Sequence, residues 1–160
     1  MFRLNNLTVI ICYSLINYGV AQTTDILMIE IPLEVSIPVG GTADIGLGVI
    51  INEKFHIQAN PASDDFLIPS KIEINAMEGV IIGNPVYPKG ESFWLEGTDN
   101  PLSVYSGKFS IHIPINISSG MLTGKYKLNG KFYYQACDSS KCYAPRSLFF
   151  IIPVNVYKKS

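Results

Sequence analysis

The sequence predicts an all-β protein, and three observations carry this prediction. Apolar and polar residues alternate with a period of two in most of the chain. The strand-like stretches are rich in Ile, Val, Tyr and Phe, and Gly, Pro, Asn and Asp separate them. No stretch combines a helical apolar face with capping signals at both ends.

The predicted strand regions follow one another along the whole chain. They are residues 26–38, 42–51, 71–77, 102–118, 125–137 and 146–157. A turn at Gly40-Gly41 separates the first two, and the region 102–118 is expected to form two strands or one strand bent at Ser106-Gly107. Seven to nine short strands at this spacing predict an immunoglobulin-like β-sandwich, with a small barrel as the alternative.

The N-terminus has the features of a secretory signal peptide. Arg3 precedes an apolar run of about ten residues, half the length of about twenty that a membrane-spanning helix needs. Small residues follow, ending at Ala21. We therefore expect residues 1–21 to be a signal peptide and residues 22–160 to be one periplasmic or otherwise extracytoplasmic domain without stable membrane insertion. A buried N-terminal strand or helix is the alternative.

Charge limits the classes of partner. The chain has 12 Lys and Arg against 13 Asp and Glu, a formal net charge of −1, and no basic run apart from Lys158-Lys159. Nucleic acid and anionic membranes are therefore not expected as partners.

Two cysteines remain once Cys12 leaves with the predicted signal peptide. They are Cys137 and Cys142, an even number that suits an oxidising compartment. The intervening residues 138–141 resemble a turn, so the two cysteines should face each other across a hairpin within disulfide distance. Strict alternation would place Cys137 on the face opposite Phe132.

Several chemistries are open to such a pair. As a staple it would close a very small loop, worth about 2 kcal/mol, against more than about 4 kcal/mol for a loop of a hundred residues. Zinc would need His56 and His112, which lie in separate strand-like segments, so no metal site is expected. A cysteine hydrolase would need a neighbouring histidine and an oxyanion hole, and the sequence indicates neither.

Thiol–disulfide exchange is the remaining chemistry. A short-loop disulfide at a turn is accessible and more easily reduced than a buried structural one. Lys141 favours a thiolate at Cys142, whereas Asp138 opposes ionisation of Cys137. Cys142 is therefore predicted to be the better nucleophile.

A long connection, residues 84–101, precedes the fourth strand region. It exceeds a tight turn and contains Tyr87, Phe93 and Trp94. Disordered segments are usually poor in aromatic residues, so these rings are expected to pack against the domain.

Four sequence blocks carry a family resemblance. The blocks FHIQANPASDDFLIPSKIEI, VYP, LSVYSGKFSIHIPI and YQACDSSKCYAP resemble the N-terminal extracytoplasmic domain of the thiol:disulfide interchange protein DsbD, over residues 45–156. The most specific part consists of Tyr134, Gln135 and Cys137 followed by Cys142 and Pro145.

The resemblance implies an immunoglobulin-like sandwich that carries a redox-active pair and needs no cofactor. Electrons would come from a thioredoxin-like protein or from the thioredoxin-like domain of a membrane reductase. They would pass to disulfide isomerases or cytochrome c maturation proteins. Cys142 would form the mixed disulfide with partners, and Cys137 would be the resolving thiol. The chain would then be a component of a thiol–disulfide oxidoreductase.

The resemblance also implies an aromatic loop that caps the disulfide. Residues 84–101 are the counterpart, with Tyr87 or Phe93 as the shielding ring. The alternative is an ordinary connection whose aromatic residues extend the core.

The chain also departs from the family. The spacing between the cysteines is one residue shorter than in the best-known members, and no acidic residue can be matched beside them, although Asp64 and Asp65 are near in sequence to the LIP segment. Residues 1–160 contain neither a membrane domain nor a thioredoxin-like domain, so we expect a separate protein to supply electrons, unless the domain has another use.

Two other classes of function stay open. One is a non-catalytic immunoglobulin-like binding module with a structural hairpin disulfide. The other is a secretion-accessory domain that assembles through its sheet edges.

Overall fold

The computed structural model describes residues 21–159 as β-strands joined by turns and loops. Its strands are β1 (Ala21–Thr23), β2 (Leu27–Glu30), β3 (Val35–Pro38), β4 (Thr42–Ile51), β5 (His56–Gln58), β6 (Lys71–Ile74), β7 (Val80–Ile82), β8 (Glu91–Phe93), β9 (Leu102–Tyr105), β10 (Lys108–Ile117), β11 (Gly124–Tyr134), β12 (Ala136–Cys137) and β13 (Arg146–Tyr157). This part of the chain has no helix of the length and apolarity that crossing a bilayer requires. The predicted signal peptide, except for Ala21, and Cys12 lie outside the described residues.

Two sheets form a sandwich around one core. The first has the order β1-β2-β4-β10-β7, and the second has the order β3-β13-β11-β6. Strand β10 illustrates why the sequence folds this way, because Ile111, Ile113 and Ile115 are buried whereas the residues between them are exposed. The inner faces of both sheets contribute to a single hydrophobic cluster. The predicted all-β sandwich is confirmed.

Several predicted strand regions are divided, so that residues 21–159 hold thirteen strand segments rather than seven to nine. The region 26–38 breaks around Pro32, which has no N–H for a ladder, and β2 and β3 lie in different sheets. The region 102–118 divides at Ser106-Gly107, as one of the two expectations had it, where Gly107 has a φ of 58°. The region 125–137 divides at Gln135. The regions 42–51 and 146–157 match β4 and β13.

A third, smaller sheet covers one end of the sandwich. Its order is β12-β5-β9-β8. Strand β5 follows β4, β9 precedes β10, and β12 follows β11, so the long strands of the sandwich lead directly into this sheet. It carries both cysteines at its edge, since Cys137 ends β12 and forms a bridge with Cys142.

The connection 84–101 is partly ordered as strand. Val86 bridges His112, and β8 pairs with β9 between Glu91 and Val104. Residues 84–85, 87–90 and 94–101 have no strand structure, and the segment 94–101 follows β8 directly. Trp94 in this segment is exposed, so the expectation that its ring packs against the domain was wrong.

Candidate redox site

A change of sheet at Gln135 determines where Cys137 lies. Strand β11 pairs with β13 as far as Tyr134, and β12 then pairs with β5, with Ala136 opposite Ile57 and Cys137 opposite His56. Cys137 is fully buried, like Phe132 and Tyr134. The alternation that places Phe132, Tyr134 and Ala136 in the sandwich core continues past Gln135, and Cys137 is buried outside that core cluster, opposite His56.

The side chain of Gln135 holds this break in place. Its Oε1 accepts a hydrogen bond from the backbone N–H of Ile68 at 2.9 Å, and its Nε2 donates to the carbonyl of Tyr143 at 3.2 Å. The backbone carbonyl of Gln135 accepts from the N–H of Gln58 at 2.9 Å. One residue thus connects the outgoing strand, the return of the hairpin and the loop that contains Ile68.

Asp138 organises the turn between the cysteines. Its Oδ1 accepts hydrogen bonds from the backbone N–H groups of Ser140 and Lys141 and from the Ser140 hydroxyl, and its Oδ2 accepts from the Tyr143 hydroxyl at 2.5 Å. The hydrogen bond from Tyr143, with those from the turn, holds the pKa of Asp138 well below its usual value. The same hydrogen bond raises the pKa of Tyr143.

The disulfide between Cys137 and Cys142 is formed, and its two sulfurs differ in access. Cys137 has an exposed fraction of 0%, whereas Cys142 is partly exposed. Cys142 lines a cleft of about 600 Å³ together with Phe66, Leu67, Leu95 and Leu102. An incoming thiolate could therefore reach Cys142 from the cleft and could not reach Cys137 without a conformational change.

A buried glutamine contacts both sulfurs. Gln58 in β5 has an exposed fraction of 0%, and its Nε2 lies 3.2 Å from Sγ of Cys137 and 3.7 Å from Sγ of Cys142. The sequence alone indicated no role for Gln58. Alternation around the apolar Ile57 would have placed His56 and Gln58 on one face, but only the pairing of β5 with β12 brings that face to the cysteines.

The loop after β8 lies against the hairpin. The ring of Phe93 stacks on His56 with 3.9 Å between centroids, and His56 is the residue opposite Cys137. The N–H of Glu96 donates to the carbonyl of Ser139 at 3.2 Å. Burial lowers the pKa of His56, and Glu91 partly opposes this effect.

The remaining predicted site residues lie in different environments, some buried in the core and others exposed to solvent. Tyr134 is buried, with its hydroxyl 3.5 Å from Oγ1 of Thr24. Lys141 and Pro145 are exposed, and Nζ of Lys141 lies 5.3 Å from the Tyr143 ring centroid. Tyr87 is half-buried against the core, where its hydroxyl accepts from the N–H of Ile72 at 2.8 Å.

Neither the acidic pair nor the two histidines form a cluster with the cysteines. Asp64 and Asp65 are both exposed, and Asp64 lines the rim of the Cys142 cleft without a contact to either sulfur in the described residues. His56 contacts the Ser106 hydroxyl at 2.5 Å, and His112 contacts Asp44 at 2.9 Å. Between residues 21 and 159, no three His, Cys, Asp or Glu side chains come together as metal ligands.

The chain thus combines an immunoglobulin-like sandwich with a short-loop disulfide, and Cys142 of that disulfide borders an open cleft. Residues 28–153 match the family model described as thiol:disulfide interchange protein DsbD, N-terminal, and the chain belongs to this family.

The chain is similar to two solved structures. The N-terminal periplasmic domain of ScsB from Proteus mirabilis is 16% identical with a TM-score of 0.55, and the match covers 79% of this chain and 47% of that one. This chain thus spans about half the length of the ScsB structure. The N-terminal domain of Neisseria meningitidis DsbD in its reduced form is 15% identical with a TM-score of 0.48, covering 84% of this chain and 82% of that one. No curated protein sequence matches the chain.

The hydrogen bonds of Asp138 predict how acid affects the hairpin. Because folding lowers the pKa of Asp138, its contribution to stability is present above the unfolded-state value of about 4 and is lost as pH falls below it. We expect Asp138→Asn to lower the free energy of unfolding at neutral pH. Between neutral and acidic pH, the free energy of unfolding should then decrease less in the variant than in the wild type. Urea unfolding over a pH series would measure both.

Asp65→Asn is the matched control, since its carboxylate makes no hydrogen bond to the described residues. Equal pH profiles for Asp138→Asn and the wild type would contradict this role for Asp138.

Proposed function

We propose that this domain is an extracytoplasmic electron carrier whose Cys137–Cys142 disulfide accepts two electrons from a thioredoxin-like protein and passes them to other extracytoplasmic proteins. The observation that carries the proposal is the unequal access of the two sulfurs. Cys142 borders an open cleft, whereas Cys137 is buried behind it.

This difference supports the assignment of roles to the cysteines. A donor thiolate attacks Sγ of Cys142, a mixed disulfide forms, and Cys137 leaves as a thiolate. A second donor thiol then attacks the mixed disulfide and releases Cys142, so the donor is oxidised and the domain is reduced. In the next half-cycle the Cys142 thiolate attacks an acceptor disulfide, and Cys137 resolves the new mixed disulfide. Lys141, exposed beside Cys142, favours the thiolate that this step requires.

The proposed compartment and partners rest on the family and on the predicted signal peptide. The ScsB domain is described as periplasmic, which supports an extracytoplasmic location for this chain. Membership of the DsbD N-terminal family supports thioredoxin-like donors, including the thioredoxin-like domain of a membrane reductase. Disulfide isomerases and cytochrome c maturation proteins are the proposed acceptors.

We also propose that Phe93 and the loop after it cap the disulfide. Phe93 stacks on His56, directly opposite Cys137, and Glu96 bonds to the turn between the cysteines. The hydroxyl of Tyr87 instead bonds to β6, so its contacts support a packing role. Opening of this loop would widen the approach to Cys142 when a partner docks.

The roles of the cysteines predict opposite results for the two single variants. Cys137→Ser should accumulate a mixed disulfide with a thioredoxin-like partner, because Cys142 can attack and no thiol resolves the product. Cys142→Ser should trap little or none. Non-reducing electrophoresis and mass spectrometry of the mixture would detect the adduct.

The two variants control for each other, because each removes the same disulfide and retains one sulfur. Trapping by Cys142→Ser but not by Cys137→Ser would reverse the assignment.

The cap predicts a difference between two aromatic variants. Phe93→Ala should make reduction of the disulfide by glutathione several-fold faster, because the ring that packs on His56, opposite Cys137, is lost. Tyr87→Ala should lower stability without this acceleration. Samples quenched with an alkylating reagent at successive times would give the rates of reduction. An unchanged rate for Phe93→Ala would count against the cap.

A further inference from the structure

The amide of Gln58 is the polar group in contact with the sulfur that must leave. Its Nε2 donates toward Sγ of Cys137 at 3.2 Å and lies farther, at 3.7 Å, from Sγ of Cys142. Gln58 and Cys137 both have an exposed fraction of 0%. Any charge that develops on Cys137 during exchange therefore forms away from water, where an unpaired charge is costly.

The backbone around Gln58 fixes the position of this amide. Its N–H donates to the carbonyl of Gln135, and its carbonyl accepts from both the N–H and the hydroxyl of Ser70, the latter at 2.6 Å. Strand β5 also pairs with β9 and β12 on its two sides. The amide is thus attached to a rigid strand. Its orientation can change between the oxidised and reduced states mainly by rotation of the Gln58 side chain.

The other end of the same amide has no partner. Among the described residues, Oε1 of Gln58 is the single buried side-chain oxygen or nitrogen without a hydrogen bond. A buried acceptor without a partner is costly, and such groups in folded proteins need an explanation. The oxidised disulfide can offer no proton to this oxygen, whereas a reduced cysteine carries an S–H that can.

We propose that Gln58 is a catalytic residue that stabilises the Cys137 thiolate through Nε2 and accepts the Cys137 S–H through Oε1 once that thiolate is protonated. This inference rests on the proposed roles of the cysteines. When a donor thiolate attacks Cys142, the S–S bond breaks and its electron pair goes to Cys137. The amide N–H groups then face an anion, and a hydrogen bond to a charged acceptor is stronger than one to a neutral sulfur. After this thiolate is protonated, rotation of the amide turns Oε1 toward the S–H of Cys137.

The test compares Gln58→Met with the wild type in reduction by dithiothreitol. Methionine keeps the volume and removes both the donors and the acceptor. Since one hydrogen bond to a charged group corresponds to about tenfold or more in an equilibrium, we expect about tenfold slower reduction. In a Cys142→Ser background, Gln58→Met should also raise the pKa of Cys137, measured from thiolate absorbance across pH.

Tyr87→Phe provides the matched control. It removes a part-buried hydrogen bond to the N–H of Ile72 and touches neither sulfur nor Gln58. We expect a loss of stability with a near-normal rate and thiol pKa. An equal slowing in Tyr87→Phe and Gln58→Met, or an unchanged rate and pKa in Gln58→Met, would overturn the proposal.

A measurement on the wild-type protein keeps the proposal testable if Gln58→Met does not fold. The side-chain amide resonances of Gln58 should shift on reduction and should titrate with the Cys137 thiol. Resonances that change with neither would overturn the proposal. Failure of dithiothreitol to reduce the folded wild-type protein would instead refute the proposed exchange function, so the two failures are distinguishable.

Discussion

The pairing of β12 with β5 is the interaction on which the site depends. It takes Ala136 and Cys137 out of the large sheet and places them beside His56 and Gln58. Strand β13 begins at Arg146, opposite Tyr134, so its pairing with β11 ends just before Gln135. The side chain of Gln135 stabilises the break through hydrogen bonds to two other segments. The chemistry of the site therefore follows from one change of hydrogen-bonding partner along the chain.

The same pairing allows the disulfide to open without loss of the fold. A loop of this size gives the bond only about 2 kcal/mol of stabilisation through the unfolded state. The hairpin is also held by the hydrogen bonds of Asp138 within the turn and by the pairing of β12 with β5. The sandwich core is built from two other sheets. The reduced domain is thus expected to keep the arrangement that recognises its partners. An electron carrier requires this property, whereas a binding module with a structural disulfide does not.

The sequence was sufficient for the features that depend on local pattern. Alternation and turn residues predicted β4, β13 and a division or bend at Ser106-Gly107, because burial of one face and a glycine with positive φ are local properties. The hairpin between Cys137 and Cys142 was predicted for the same reason.

Features that depend on long-range pairing were missed. The burial of Cys137 could not be predicted, since it requires β12 to leave one sheet for another. Gln58 lies in the FHIQAN block, and its role could not be predicted because it lies 79 positions before Cys137 along the chain. The sequence pattern that could have indicated Gln58 is an amide on the same strand face as His56, on the other side of Ile57. This pattern points to the cysteines only when the partner strand of β5 is known. The resemblance to the DsbD family indicated thiol–disulfide exchange, and the pairing of β12 with β5 identified the residues that contact the cysteines.

A redox titration of residues 22–160 in glutathione buffers tests the central claim most directly. An exchangeable bond should titrate reversibly, with a potential above about −300 mV, while the protein stays folded. A potential below that value, with no reduction by a thioredoxin-like protein, would mark the bond as structural and would contradict the account.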